Sequence, residues 1–154
     1  MNSEQAVGNT ESDMQRTRFR VVIAVGAILG FAVFWGQYGG TSHYAGLCRK
    51  AMKDRQWKEL SRLSQSWSEA DPNNAESWFC RAEAARQLRD FATADGFVAK
   101  VPPKSEFGIR ALEIRIELQF GPLNQPLAAV KSCLNLLHHD PASKVAHQRL
   151  IFFF

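Results

Sequence analysis

The chain has 154 residues, the size of one ordinary domain. Apolar residues make up 45% and charged residues 22%, the balance of a chain that folds rather than one that stays disordered. The formal charge of +4 is mild, and no Lys/Arg block is interleaved with aromatic residues, which argues against a nucleic-acid partner.

Residues 1–18 are polar, rich in Asn, Ser, Gln, Glu and Asp, and read as a disordered tail. Arg16, Arg18 and Arg20 then border an uncharged run from Val21 to Tyr38. At about 1.5 Å per residue, a helix of that length crosses most of a bilayer core of about 30 Å. Trp35 and Tyr38 fall where an aromatic belt sits, and Gly39-Gly40 ends the run. A buried core helix would need a polar face, which this run lacks. A cleaved signal peptide would need a short apolar region and a small-x-small site, whereas Phe34, Trp35 and Tyr38 crowd the end here. The preferred reading is an uncleaved signal anchor, a single transmembrane helix over residues 19–38.

The three Arg beside the span place the N-terminus in the cytoplasm and the rest of the chain on the far side. The basic residues from Arg49 to Lys58 argue the other way, but they belong to a folded domain and abut the span less closely. Gly26-x-x-x-Gly30 has the spacing at which two membrane helices pack, one route to a homodimer.

Beyond the glycines, every segment has helical periodicity and none alternates with a period of two. The first predicted helix runs from Thr41 to about Asp54, with Tyr44, Leu47, Cys48, Ala51 and Met52 on one face. A second runs from about Trp57 to Glu69 with Leu60, Leu63, Ser64 and Trp67, and Asp71-Pro72-Asn73-Asn74 stops it. Asn74 caps a third, Ala75 to Leu88; Asp90 caps a fourth, with Phe91, Ala94, Phe97, Val98 and Val101. Ser105 opens a fifth, with Ile109, Leu112, Ile116 and Phe120, which Gly121-Pro122 ends. Pro126 suits the first turn of a sixth, with Leu127, Val130, Leu134 and Leu137 on its apolar face.

These helices repeat. Tyr44, Cys48, Ala51 and Trp57 align with Trp78, Ala82, Ala85 and Phe91, and the interval is the same in every pair. A third, weaker unit supplies Leu112, Ile116, Ala129 and Cys133, and closes with Asp140-Pro141 as the first closes with Asp71-Pro72. In its period of about 34 residues and its pattern of aromatic and small residues, the chain resembles the tetratricopeptide repeat family. It departs from the pattern at Arg81, where Leu is usual, and at Pro102-Pro103, where the second unit lacks Asp-Pro. The resemblance implies an all-α protein, a short α-solenoid of helix pairs, with units at 41–74, 75–108 and 109–143 and a partial fourth at 144–154.

No residues here point to catalysis. Cys48, Cys80 and Cys133 lack metal or redox spacing and read as small core thiols. His138 and His139 are consecutive and face different ways, a poor metal pair. Trp57, Trp67 and Trp78 read as packing, and Glu113 and Glu117 as a solvated face. The chain is thus expected to bind no cofactor or metal and to be no enzyme. The resemblance implies instead a scaffold that takes a protein or peptide on the concave face made by the first helix of each pair. The places that face a ligand in the family fall here on Arg49, Met52, Lys53, Phe79, Glu83 and Arg86, with Phe79 as the exposed aromatic. The Lys and Asn with which some members clamp a partner's terminal carboxylate are replaced by Ala45 and Arg49, then by Phe79 and Glu83. Two alternatives stay open: an exported soluble repeat protein after signal cleavage, and the non-catalytic N-terminal segment of a larger enzyme. Lys144 to Phe154 reads as the first helix of a fourth pair, with Leu150 and Phe154 facing inward. The row Leu150-Ile151-Phe152-Phe153-Phe154 is therefore expected to meet further helices or a cover by a partner or a second copy, the alternative being that the last residues fray and tolerate exposure.

Overall fold

The computed structural model describes residues 41–154. The polar tail, the expected membrane span and the Gly26/Gly30 contact lie outside the described residues. Every regular element among the described residues is a helix: α1 (Thr41–Lys53), α2 (Trp57–Ala70), α3 (Ala75–Gln87), α4 (Phe91–Val98), α5 (Gly108–Phe120), α6 (Pro126–His139) and α7 (Lys144–Phe153). None of them is long and apolar enough to cross a membrane.

The boundaries follow local chemistry. The Asn74 side chain accepts from the Ser77 N–H at 3.1 Å, Asp90 from Thr93 at 3.3 Å and Ser143 from Ala146 at 3.5 Å, three side-chain N-caps. Pro126 sits in the first turn of α6, where a missing N–H costs nothing. Two helix ends use a device that the residue types conceal. Arg55 (φ 55°) and Arg89 (φ 65°) adopt the left-handed conformation that usually selects glycine. Each lets the next residue reach back to close the helix, Gln56 N to Ala51 O and Asp90 N to Ala85 O, both at 2.9 Å. The two arginines are themselves one repeat period apart, so the repeat extends to the caps.

Two boundaries differ from expectation. α4 ends at Val98, and Val101, beyond it, is still buried. α5 starts at Gly108 and not at Ser105, whose hydroxyl donates to Pro102 O at 2.7 Å within a turn. That turn brings the Pro103 carbonyl so close that a Cβ on residue 108 would lie 2.1 Å from it, so only glycine fits.

Consecutive helices pack in order, and α1 also meets α3 while α5 meets α7. The buried residues form three clusters among the described residues. Cys48, Ala51, Leu60, Leu63, Trp67, Cys80 and Ala84 join α1 and α2 to α3. Phe79, Ala82, Ala85, Ala94, Val98, Val101, Ala111, Ile114 and Leu118 join α3 and α4 to α5. Leu112, Ile116, Cys133, Leu136 and Ala146 join α5 and α6 to α7. Each cluster takes one helix pair and the first helix of the next pair, which is how a solenoid buries faces that a single pair leaves wet.

The core bears out one reading and corrects two. All three tryptophans serve packing, Trp67 at 2% exposure and Trp57 and Trp78 partly buried against the clusters. On α6 the buried stripe is Ala129, Ser132, Cys133 and Leu136, while Leu127 and Leu134 face solvent at 73% and 57% exposure. The small residues of that stripe admit α5 closely, and Ser132 donates to Gln119 Oε1 at 2.7 Å. Gln119 in turn donates to Asp95 Oδ1 at 3.0 Å, as does Arg115 at 3.1 Å, tying α4, α5 and α6 through buried polar groups. Phe154, expected to face inward, is 92% exposed.

Arg81 explains its own departure from the pattern. Its guanidinium lies 4.3 Å from the centroid of the Phe97 ring and 5.3 Å from that of Trp78, and it donates to Ser68 Oγ at 2.9 Å. The position thus supplies a cation–π contact to the two rings where the pattern has an aliphatic side chain.

Candidate functional site

The first helices of successive pairs, α1, α3 and α5, enclose a groove of about 270 Å³. Arg49 and Met52 line it from α1, Glu76, Phe79 and Cys80 from α3, Glu106 and Phe107 from the turn before α5, and Arg110 from α5. On its rim Arg49 makes a two-pronged bond with Glu76, Nε to Oε1 at 2.7 Å and Nη2 to Oε2 at 2.9 Å. The carboxylate holds the guanidinium above its ordinary value, chiefly through that hydrogen bond. The Arg49 side chain is still 67% exposed, so its outer face can meet a ligand.

Phe79, expected as an exposed aromatic, is 3% exposed, because the Phe107 ring packs against it at 5.2 Å and the Arg110 guanidinium sits 5.5 Å from its centroid. It forms the floor of the groove rather than a projecting contact. Met52 is the half-buried apolar group on the facing wall.

Glu83 and Arg86 do not join this groove. Glu83, 8% exposed, accepts from Arg86 at 2.7 Å and 3.1 Å and from Gln87 at 2.9 Å. Burial pushes its carboxyl up, but the bonds from Arg86 and Gln87 outweigh that and leave it below the usual range. Arg86 also reaches Glu117 of α5 at 3.9 Å. Glu117 in turn lines a second groove of about 250 Å³ with Val145, Gln148, Arg149 and Phe152 of α7. Arg86 and Glu117 thus link α3 to α5, and Glu117 and Arg149 share the second groove between α5 and α7. Lys53 is exposed and lines neither groove.

Arg110 and Glu117 join the face without having been expected there, yet the sequence carries their signal. They lie one repeat period after Glu76 and Glu83, so the same ligand-facing places in the third unit name them. Glu106 and Phe107 have no such signal, because they sit in a turn where the sequence suggests helix.

No family model matches the chain, and no curated protein matches it. Solved structures do resemble it. The first tetratricopeptide domain of Spaghetti (RPAP3), bound to the HSP90 peptide SRMEEVD, is 22% identical, with a TM-score of 0.63 over 71% of this chain and 86% of that one. The Arabidopsis OM64 tetratricopeptide domain is 19% identical, with a TM-score of 0.65 over 74% and 93%. The second such domain of human RPAP3, in complex with the HSP70 peptide SGPTIEEVD, is 16% identical, with a TM-score of 0.66 over 75% and 95%. The fold is tetratricopeptide-like. A tetratricopeptide-like fold accounts for the three shared clusters and for the groove between first helices. The fold by itself assigns no function, which lies in particular residues and not in the scaffold.

Among the described residues no three His, Cys, Asp or Glu side chains come together as a metal site.

Proposed function

We propose that the chain is a membrane-anchored scaffold that takes a protein or peptide segment in the groove between α1, α3 and α5. The observation that carries this reading is the groove itself. An apolar floor of Phe79 and Phe107 is set below a rim of both charge signs, with Arg49 and Glu76 at one side and Glu106 and Arg110 at the other. A ligand that places an apolar side chain between Met52 and Phe107, with charged residues on both flanks, satisfies every group present. Two solved structures of the same fold, those of RPAP3, hold peptides. The chain lacks the Lys and Asn clamp for a terminal carboxylate, so an internal segment fits better than a chain end.

The anchor rests on the uncharged run from Val21 to Tyr38, and the three preceding arginines favour the repeats lying on the far side of the membrane. The units are then a tail at 1–18, a span at 19–38, repeats at 41–74, 75–108 and 109–143, and a partial repeat at 144–154.

Two measurements test the reading. The full chain should stay with membranes through a carbonate wash, and Ile28→Arg should impair insertion; release of the intact chain by salt alone would refute the anchor. Peptide-array binding by the full chain in detergent should drop at least tenfold with Met52→Ala or Arg110→Glu, and should not change with Leu127→Ala on the outer face of α6. Binding that ignores all three substitutions would refute the groove.

A further inference from the structure

Arg81 puts a charge on α3 where the repeat pattern has an aliphatic residue, and a second cation joins it. Arg81 lies 4.3 Å from the Phe97 centroid and 5.3 Å from that of Trp78. Lys100, just after α4, places Nζ 4.1 Å from the Trp78 centroid and 6.0 Å from that of Phe97. The two rings pack together, their centroids 5.9 Å apart. Among the described residues no carboxylate pairs with either cation, whereas Arg49, Arg62, Arg86 and Arg115 each have one. Like charges gathered on one pair of rings repel, and the rings offset only part of that cost.

Arg81 is also held in a fixed pose. The buried Ser68 donates its hydroxyl proton to Gln65 O at 3.0 Å, so its oxygen accepts from Arg81 Nη1 at 2.9 Å. With Nη1 pinned and the guanidinium over Phe97, the Nε and Nη2 donors keep no protein partner among the described residues. That edge is the fork that takes two oxygens of one oxyanion at once. Arg81 is half-buried and Lys100 exposed, so both can be reached from solvent. Neither residue lines either groove.

We propose that Arg81 and Lys100 form a binding site for a phosphate monoester, separate from the groove between first helices. The Arg81 fork takes two of the phosphate oxygens and the Lys100 ammonium meets a third, so one dianion neutralises both cations. A carboxylate brings a single charge and two oxygens, which satisfies the fork and leaves Lys100 without a partner. The same chemistry is carried by a phosphorylated side chain of another protein and by a small phosphate ester, and the test separates the two.

The test titrates the full chain in detergent, at constant ionic strength, by isothermal calorimetry. The probes are phenyl phosphate, benzoate, a glycine-flanked phosphoserine peptide and the same peptide without phosphate. Phenyl phosphate should bind about tenfold more tightly than benzoate, and the phosphopeptide likewise relative to its unphosphorylated form. A phosphopeptide that binds more tightly than phenyl phosphate assigns the ester to a phosphorylated side chain; one that does not assigns it to a small molecule. Arg81→Leu restores the aliphatic residue of the pattern and should cost about tenfold in phosphate affinity. Arg81→Lys keeps the charge without the fork and should lose most of the binding as well. Lys100→Ala should cost about threefold, and Lys131→Ala on α6 nothing. Circular dichroism verifies the helix content of each variant. The proposal is overturned if neither phosphate probe binds, if benzoate or the unphosphorylated peptide binds equally well, or if either Arg81 variant keeps wild-type affinity. The comparison of phenyl phosphate with benzoate on the wild-type chain decides the matter even if a variant does not fold.

Discussion

α3 and α7 begin in the same way and end in different surroundings. Both follow an Asp-Pro turn, both are capped by a side chain from the residue before the helix (Asn74 and Ser143), and both are first helices of a pair. Even a long-range detail repeats: Trp78 Nε1 donates to Pro72 O at 2.7 Å, and His147 Nε2 lies 3.0 Å from Pro141 O, at the same backward step along the chain. Yet α3 buries seven residues and α7 only Ala146. The difference lies in the neighbours. α3 has α1 and α2 on one side and α4 and α5 on the other, whereas the described neighbours of α7 are α5 and α6 alone. Ile151 and Phe152 consequently stay 75% and 87% exposed, while Phe153, 37% exposed, packs its ring 6.0 Å from that of Phe120. Local signals determine that a helix forms and where it starts; burial is a property of what packs on both faces.

The largest test of that contrast exchanges apolar bulk in the two environments. Trp67→Ala should destabilise by about 3–5 kcal/mol, because the ring fills the cluster between α2 and α3. Phe152→Ala should change stability by less than about 0.5 kcal/mol. Denaturant melts compare them directly, and equal losses would break the contrast. The cap is next. Asn74→Ala should cost about 1 kcal/mol, since it removes the acceptor for Ser77 N–H at the entrance to α3. Arg89→Gly should stabilise by about 0.5 kcal/mol, because glycine takes the left-handed conformation at no steric cost.

The smallest effect concerns acid. The folded carboxyl of Glu83 is held below its ordinary value, so its contribution is present above the unfolded carboxylate range and fades as pH falls through the lower, folded value. The pair is partly open to solvent, so the contribution is about 0.5 kcal/mol after screening. Glu83→Gln should remove that share of the acid dependence while leaving stability at pH 7 slightly lower.

Most of this fold was legible because punctuation and period agreed. Asp71-Pro72, Asn74, Asp90, Gly121-Pro122 and Pro126 bound helices within a residue or two of where they lie, and the repeat step placed Cys48, Ala51, Ala82 and Ala85 in the core. What was illegible depends on partners distant in sequence. The buried face of α6 could not be read from its leucines, since Ser132 goes inward to meet Gln119. The start of α5 depends on a carbonyl approach to Gly108 that no periodicity reports. Of the candidate site, Arg49 and Met52 stand where the repeat register put them. Phe79 sank to the floor because Phe107 covers it, and Lys53, Glu83 and Arg86 lie apart from the groove. Cys80 became part of the groove only when α1, α3 and α5 came together.

Site-specific photocrosslinking tests the central claim most directly. A photoreactive amino acid is placed in the full chain at Met52 or Arg110 inside the groove, and at Gln65 or Leu127 on the second helices of their pairs. Illumination in intact cells, followed by peptide sequencing, reads which positions touch a partner. The account predicts that one partner segment, apolar at its centre with charges on both flanks, is recovered from both groove positions and from neither outer position. Recovery of the same segment from Gln65 or Leu127 but not from Met52 and Arg110 would contradict it.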